Sequence, residues 1–170
     1  YIDGSYELLM ADDIRWGNLN LPEVSVDPES RRNLLFVKQA YMRLADALVN
    51  RNQNDSAIAV LDRCQEFFPD EKVPYDLYMM AYPEIYYRAG AMGKGDELIN
   101  KIIDNSTDNL RYFSELDDRF IPYYSESIRE NLAIINEMSN VASKYKRTEL
   151  ANSLNNLLEQ EFDKFLSVFN

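Results

Sequence analysis

Apolar residues recur every three or four positions along most of the chain, the spacing of a buried helical face, and no run alternates strictly enough to predict a strand. Tyr6, Leu9, Met10 and Ile14 predict a short first helix closed by Gly17; Leu19 to Val26, with Pro22 inside it, reads as an extended connector. Asp27-Pro28 predicts a sharp helix start, because Asp accepts from free amides as N-cap and Pro at N1 has no amide to leave unpaired. Leu34, Val37, Tyr41, Leu44, Ala45 and Leu48 then mark one apolar face up to the polar turn Asn50 to Asn54. Asp55 is placed as the cap of a second helix whose inward side is Ala57, Ile58, Leu61, Cys64 and Phe68, ending at Pro69.

Pro74 is read as opening the next unit, through Leu77, Met80, Ile85, Tyr86 and Ala89 to Gly90, with a kink or restart near Pro83. Leu98, Ile99, Ile102 and Ile103 lie on the following helix, the polar run Asp104 to Asn109 predicts a loop, and a short helix covers Leu110 to Phe120. Ile128, Leu132, Ile135, Met138, Ala142 and Tyr145 predict a long helix, and Leu150, Leu154, Leu157, Phe162, Phe165 and Phe169 another, with a turn at Lys144 to Thr148. The expected fold is all-α: antiparallel helical hairpins stacked as a short solenoid of roughly six to eight helices. Residues 1–27 form an N-terminal helix and connector, 28–107 two hairpins, and 108–170 a C-terminal helical cap that closes the open end of the stack.

Hairpins of this length call for a repeat test. A tetratricopeptide unit has large residues at its fourth, seventh, eleventh and twenty-fourth positions, small ones at the eighth, twentieth and twenty-seventh, and Pro at the thirty-second. With Pro69 in that last place, Tyr41, Leu44, Leu48 and Leu61 take the large positions and Ala45, Ala57 and Cys64 the small ones. Residues 38–71 therefore resemble a tetratricopeptide repeat. A second unit starting at Asp76 puts Met79, Tyr82, Tyr86 and Ile99 at large positions and Gly95 at a small one. Pro83 and Ile102 replace small residues, so this unit is degenerate.

Arg15-Trp16-Gly17-Asn18, Val24, Asp27, Arg43-Leu44-Ala45, the run Ala57 to Pro69, Val73-Pro74-Tyr75-Asp76 and Tyr86-Tyr87-Arg88-Ala89-Gly90 carry a further likeness. Over residues 5–105 the chain resembles the soluble carboxy-terminal tail of a Bacteroidetes family of multi-spanning membrane proteins similar to glycosyltransferases that use lipid-linked sugars. The resemblance implies a non-catalytic tail of an inner-membrane protein, facing the periplasm, with the cytoplasmic side as the alternative, and any active site in the membrane portion. The chain begins at Tyr1 without Met, as a fragment of something longer would.

A net charge of −11 argues against nucleic acid and anionic membrane surfaces as partners. With no His, a Ser-His-Asp or Cys-His arrangement is excluded and the usual transition-metal sites lose their commonest ligand. Cofactor, metal and catalytic residues are accordingly expected to be none, and Cys64 reads as a small core residue. The acid pairs Asp12-Asp13, Asp117-Asp118 and Glu159 with Glu161 or Asp163 read as solvated faces, and the sequons at Asn54 and Asn105 as chance. No run approaches the length of a membrane-spanning helix.

By resemblance to tetratricopeptide arrays, the binding face is the concave one. Its lining is Gln39, Met42, Asp46, Val49 and Asn50 from the first unit and Leu77, Met80, Glu84, Tyr87 and Arg88 from the second. Such a groove suits an extended peptide or helix of a partner protein with basic and apolar side chains; the alternative is that the terminal hairpin fills it. Eight of twelve tyrosines lie between Tyr75 and Tyr124. Tyr78, Tyr82 and Tyr86 are spaced to pack between helices while Tyr87 points elsewhere, and exposed members of the cluster would stack on a glycan. The expected function is a protein-interaction or scaffolding domain. A glycan- or acceptor-binding accessory domain and a structural, dimerising tail are the alternatives.

Overall fold

A computed structural model describes residues 2–12, 17–19, 21, 23–117 and 119–166. Among these there are seven α-helices, two short 3-10 helices and no strand. Ile14, Trp16, Pro22 and Phe169, used in the sequence reading, lie outside the described residues. The chain divides into two compact units, Tyr1–Gly95 and Asp96–Asn170.

In the first unit, α1 (Ile2–Leu9) stops short of the predicted end. Its last turn tightens, with Ala11 N donating to Leu8 O, and Asp12 beyond it would sit unfavourably against the negative helix terminus if the helix went on. The Tyr41 hydroxyl donates to Leu9 O and Asp3 pairs with Arg51, tying α1 to α2 (Pro28–Asn50). The start of α2 is as predicted: Asp27 Oδ1 accepts from the Glu29 and Ser30 amides at 3.0 Å, and Ser30 Oγ donates to Oδ2 at 2.6 Å.

Asn52, at φ +59°, reverses the chain, and α3 begins at once (Asn54–Phe67). That tight turn leaves Asp55 inside the first turn of α3, not capping it; Gln53 holds the cap position without a side-chain bond. The acid still favours the positive helix end. The seven large and small signature positions of the 38–71 unit are buried, none above 4% exposed, and the eighth, Pro69, is half-buried. Val60 also enters this core, and Ile58 is only half-buried.

Pro74 is exposed coil and does not start a helix. Asp76 instead caps the 3-10 turn Leu77–Met79 by accepting from Tyr78 N, and α4 (Ala81–Arg88) restarts behind it with Pro83 in its first turn, where the missing amide has no partner to lose. Gly90, at φ +87°, ends α4 in a conformation that only glycine adopts without strain.

The helix α5 (Met92–Ser114) runs straight through Asp104 to Asn109, where a loop was expected. Asp104, Asp108 and Asn109 fall on the outer side, while Ile103, Ser106, Leu110 and Phe113 keep one buried stripe through the segment. Thr107 Oγ1 returns to Ile103 O at 2.8 Å, so the run satisfies its hydrogen bonds within the helix. In the second unit a 3-10 turn (Ile121–Tyr124) leads to α6 (Ser125–Lys144), which pairs with α7 (Thr148–Lys164) across a turn at Lys146. Asn109 Nδ2 donates to Asn131 Oδ1, whose own amide bonds Ser127 O. The buried face of α7 is Ala151, Leu154, Glu161 and Phe165, and Phe162 is turned outward.

Gly95 makes a packing claim that can be measured. A Cβ there would meet the buried Tyr87 ring at 2.4 Å. Gly95→Ala should therefore lose about 1–3 kcal/mol in urea unfolding, although Ala is the better helix former. Combining it with Tyr87→Leu should return most of that loss; simple additivity of the two changes would show that the contact is not the cause.

Candidate binding surface on α2 and α4

The surface expected to bind is built from α2, the 3-10 turn and α4, which pack together within the first unit. Gln39, Met42, Asp46 and Asn50 on α2 are three or four residues apart in turn and so share one side of the helix, with Val49 next to Asn50. Asp46, Asn50 and Arg88 meet. The Arg88 guanidinium pairs with Asp46 Oδ1 and donates to Asn50 Oδ1, and Asn50 Nδ2 donates to Asp46 Oδ2 at 3.3 Å. Gln39, Met42, Met80 and Glu84 are half-buried beside this triangle, and Leu77 is exposed.

Two expected members do not face solvent. Val49 is buried, and Tyr87, only 2% exposed, has its ring against Gly95. The charge balance also changes. Arg88 neutralises Asp46, so the triangle offers polar neutrality rather than attraction for a cation. Because both partners keep some solvent contact, the pair itself contributes only about 1 kcal/mol or less.

Beneath the surface lies a polar cluster that the sequence reading passed over. Lys38 is 1% exposed; its ammonium donates to Val73 O at 2.9 Å and sits 4.7 Å from the Tyr75 ring centre. The Tyr82 hydroxyl donates to Lys38 O at 2.6 Å, so its contact with Cys64 Sγ at 3.2 Å uses the thiol proton. The Tyr86 hydroxyl donates to Asp62 Oδ1 and accepts from Gln65, while Lys94 closes on Asp62 Oδ2. Helical arithmetic places Lys38 on the face of Tyr41, Ala45 and Leu48. That position was the available signal, and a charged residue there masked it.

Burial sets the titration of this cluster. It lowers Lys38 to about 8, against which Cys64, Asp76 and Asp70 act only weakly. It raises Cys64 to about 11 and Tyr41 to about 12, and pushes Tyr75, Tyr82 and Tyr86 well up. A thiol with so little thiolate character is a packing group, as the sequence suggested.

The tyrosine-rich segment separates into two populations. Tyr75, Tyr82, Tyr86 and Tyr87 are buried, and Tyr78, expected to pack with its i+4 neighbours, is exposed. In the second unit Tyr112 and Tyr123 stand out from the surface, and Tyr124, partly covered, stacks on Phe113 at 5.1 Å. Asp12 is exposed and pairs with Arg63; Asp13 and Asp118 lie outside the described residues. Glu159 and Asp163 are exposed while Glu161 is buried against Lys164, and both sequon asparagines lie within helices.

Among the described residues no group of three metal-ligating side chains converges, and no helix is long and apolar enough to cross a membrane. In comparison with known proteins, no family model, no curated protein and no solved structure matches this chain.

The buried lysine gives stability a distinctive pH course. Between the folded value near 8 and the unfolded value of 10.5 the unfolded chain binds the extra proton, so stability rises with pH. From 9.0 upward Cys64 acts oppositely, and above 10.0 the buried tyrosines add to it. Stability should thus climb by about 1 kcal/mol between pH 8 and 9, level off, then fall. Urea midpoints across that range test this, and Lys38→Met should remove the rise; a rise that survives the substitution belongs to another group.

Proposed function

We propose that this chain is a non-catalytic, tetratricopeptide-like interaction domain that holds a segment of a partner protein on the α2 and α4 surface. In this reading it is the periplasmic tail of a membrane-anchored, glycosyltransferase-like protein of the Bacteroidetes kind and keeps a partner or acceptor near that enzyme. The observation that supports it is the complete burial of the large and small signature positions in 38–71, the packing a tetratricopeptide hairpin requires. With Asp46 neutralised by Arg88, the surface around Gln39, Met42, Leu77 and Met80 favours a segment with apolar side chains and free backbone amides over a strongly basic one.

The test is capture by the full-length parent from native membranes, with and without residues 28–105, followed by the triple change Gln39→Ala, Met42→Ala and Met80→Ala. Specific partners should disappear on deletion and fall at least about tenfold in affinity with the triple change. An unchanged partner list would leave the domain a structural or dimerising one.

The glycan reading is favoured by one feature, the exposed aromatics Tyr112 and Tyr123 beside the Phe113–Tyr124 stack. Stacking of a sugar face on such rings follows from their apolar bodies and polar rims. Titration with cell-envelope oligosaccharides should then change tyrosine fluorescence, and Tyr123→Ala should weaken that response about fivefold or more. No response in the unaltered protein would end this reading.

A further inference from the structure

The helix α2 has a second accessible side with different chemistry. Roughly a third of a turn round from Gln39, Met42 and Asp46, a groove of about 260 Å3 runs between α1 and α2, walled by Leu8, Leu9, Ala40, Leu44 and Ala47 with Arg43 at its edge. Leu8 is 65% exposed, and Phe36, one turn before Ala40, is 69% exposed. An apolar groove rimmed by large exposed side chains is a surface prepared for contact.

Arg43 distinguishes this groove from ordinary surface roughness. Arg51, Arg63 and Arg88 each hold a carboxylate in the first unit. Arg43 is exposed and makes no ion pair or hydrogen bond among the described residues. No carboxylate is among the groove's lining residues, although the chain carries −11 overall; Asp46, three residues beyond Arg43, already pairs with Arg88, and Asp3 on α1 with Arg51.

Spacing selects the kind of ligand. Ala40 and Ala47 are seven residues apart, two helical turns, and their small side chains leave notches with Arg43 between them. A helix laid along the groove would seat two aliphatic side chains at i and i+7 in those notches. An acid at i+3 or i+4 would then meet Arg43, in either chain direction.

We propose that the α1–α2 groove is a docking site for an acidic amphipathic helix of a partner protein, with its carboxylate on Arg43. This site stands independently of the α2 and α4 surface, and its ligand is acidic where that surface, with Asp46 neutralised by Arg88, favours an uncharged segment.

The probe is a labelled helical peptide with leucines at i and i+7 and glutamate at i+3, compared with the same peptide carrying lysine at i+3, both titrated onto the whole chain by fluorescence anisotropy. The glutamate peptide should bind about tenfold more tightly or better, as a single well-formed charge contact allows. Arg43→Glu should invert that preference while leaving the thermal midpoint and far-ultraviolet dichroism in place, since the side chain is exposed and unpaired. Ala47→Arg should block both peptides by filling a notch. The proposal is overturned by equal binding of the two peptides, or by a preference that Arg43→Glu leaves intact. It is also overturned if octanoate binds in an Arg43-dependent way and neither peptide does, which would make this a small-acid site, or if the chain dimerises on sedimentation through Arg43, which would make the occupant a second copy.

Discussion

Two alanines govern the first unit. Ala45 on α2 and Ala57 on α3 are both fully buried, and their small side chains let the two helices approach closely enough for Tyr41, Leu44, Leu48 and Leu61 to fill the space around them. Cys64 keeps the same narrow spacing one turn beyond Leu61 and leaves room for the Tyr82 hydroxyl. With a larger residue at any of these positions the hairpin would splay and α4 would lose its seat. The position of every residue on the α2 and α4 surface follows from that approach.

The tyrosines of α4 are aimed inward by the same geometry. Tyr82 reaches the carbonyl of Lys38 and Tyr86 reaches Asp62, so α4 is fixed to both helices of the hairpin through directional bonds as well as through apolar contact. Arg88, less than one turn beyond Tyr86, is thereby brought to Asp46. The ion pair is a consequence of this placement and contributes little to it, because partly exposed pairs are weak. The buried lysine works against stability at neutral pH through the hydration its ammonium loses, and its bond to Val73 fixes the loop that precedes the 3-10 turn.

Much of this was legible in the sequence, for reasons particular residues explain. Asp27-Pro28, the 38–71 pattern, Gly90 and the turn at Lys146 are local signals with strong conformational preferences, and the structure follows them. The segment Asp104 to Asn109 has the composition of a loop but the period of a helix: Ser106 is polar but small, and it continues the stripe from Ile103 to Leu110. At α3 the preference of Asp55 for a cap gave way to the turn closed by Asn52. The binding surface was harder to read. Repeat positions place Tyr87 on a face, but only tertiary packing shows that its ring is occupied by Gly95, and no local rule pairs Arg88 with Asp46 across 42 residues.

The three sides of α2 depend on one another. Lys38, Tyr41, Ala45 and Leu48 form the buried side, Gln39, Met42 and Asp46 one flank, and Ala40, Arg43 and Ala47 the other. A helix can rotate about its own axis if only non-directional apolar contacts hold it, and such rotation would expose one flank while burying the other. Directional bonds oppose it, among them Lys38 to Val73 O on the side of the 3-10 turn and Tyr41 to Leu9 O on the side of α1. They pull on neighbouring turns toward different segments, so satisfying both fixes the rotation of α2. A buried ammonium that lowers stability is retained in this geometry alongside two accessible flanks of different chemistry, and its bond holds both in register.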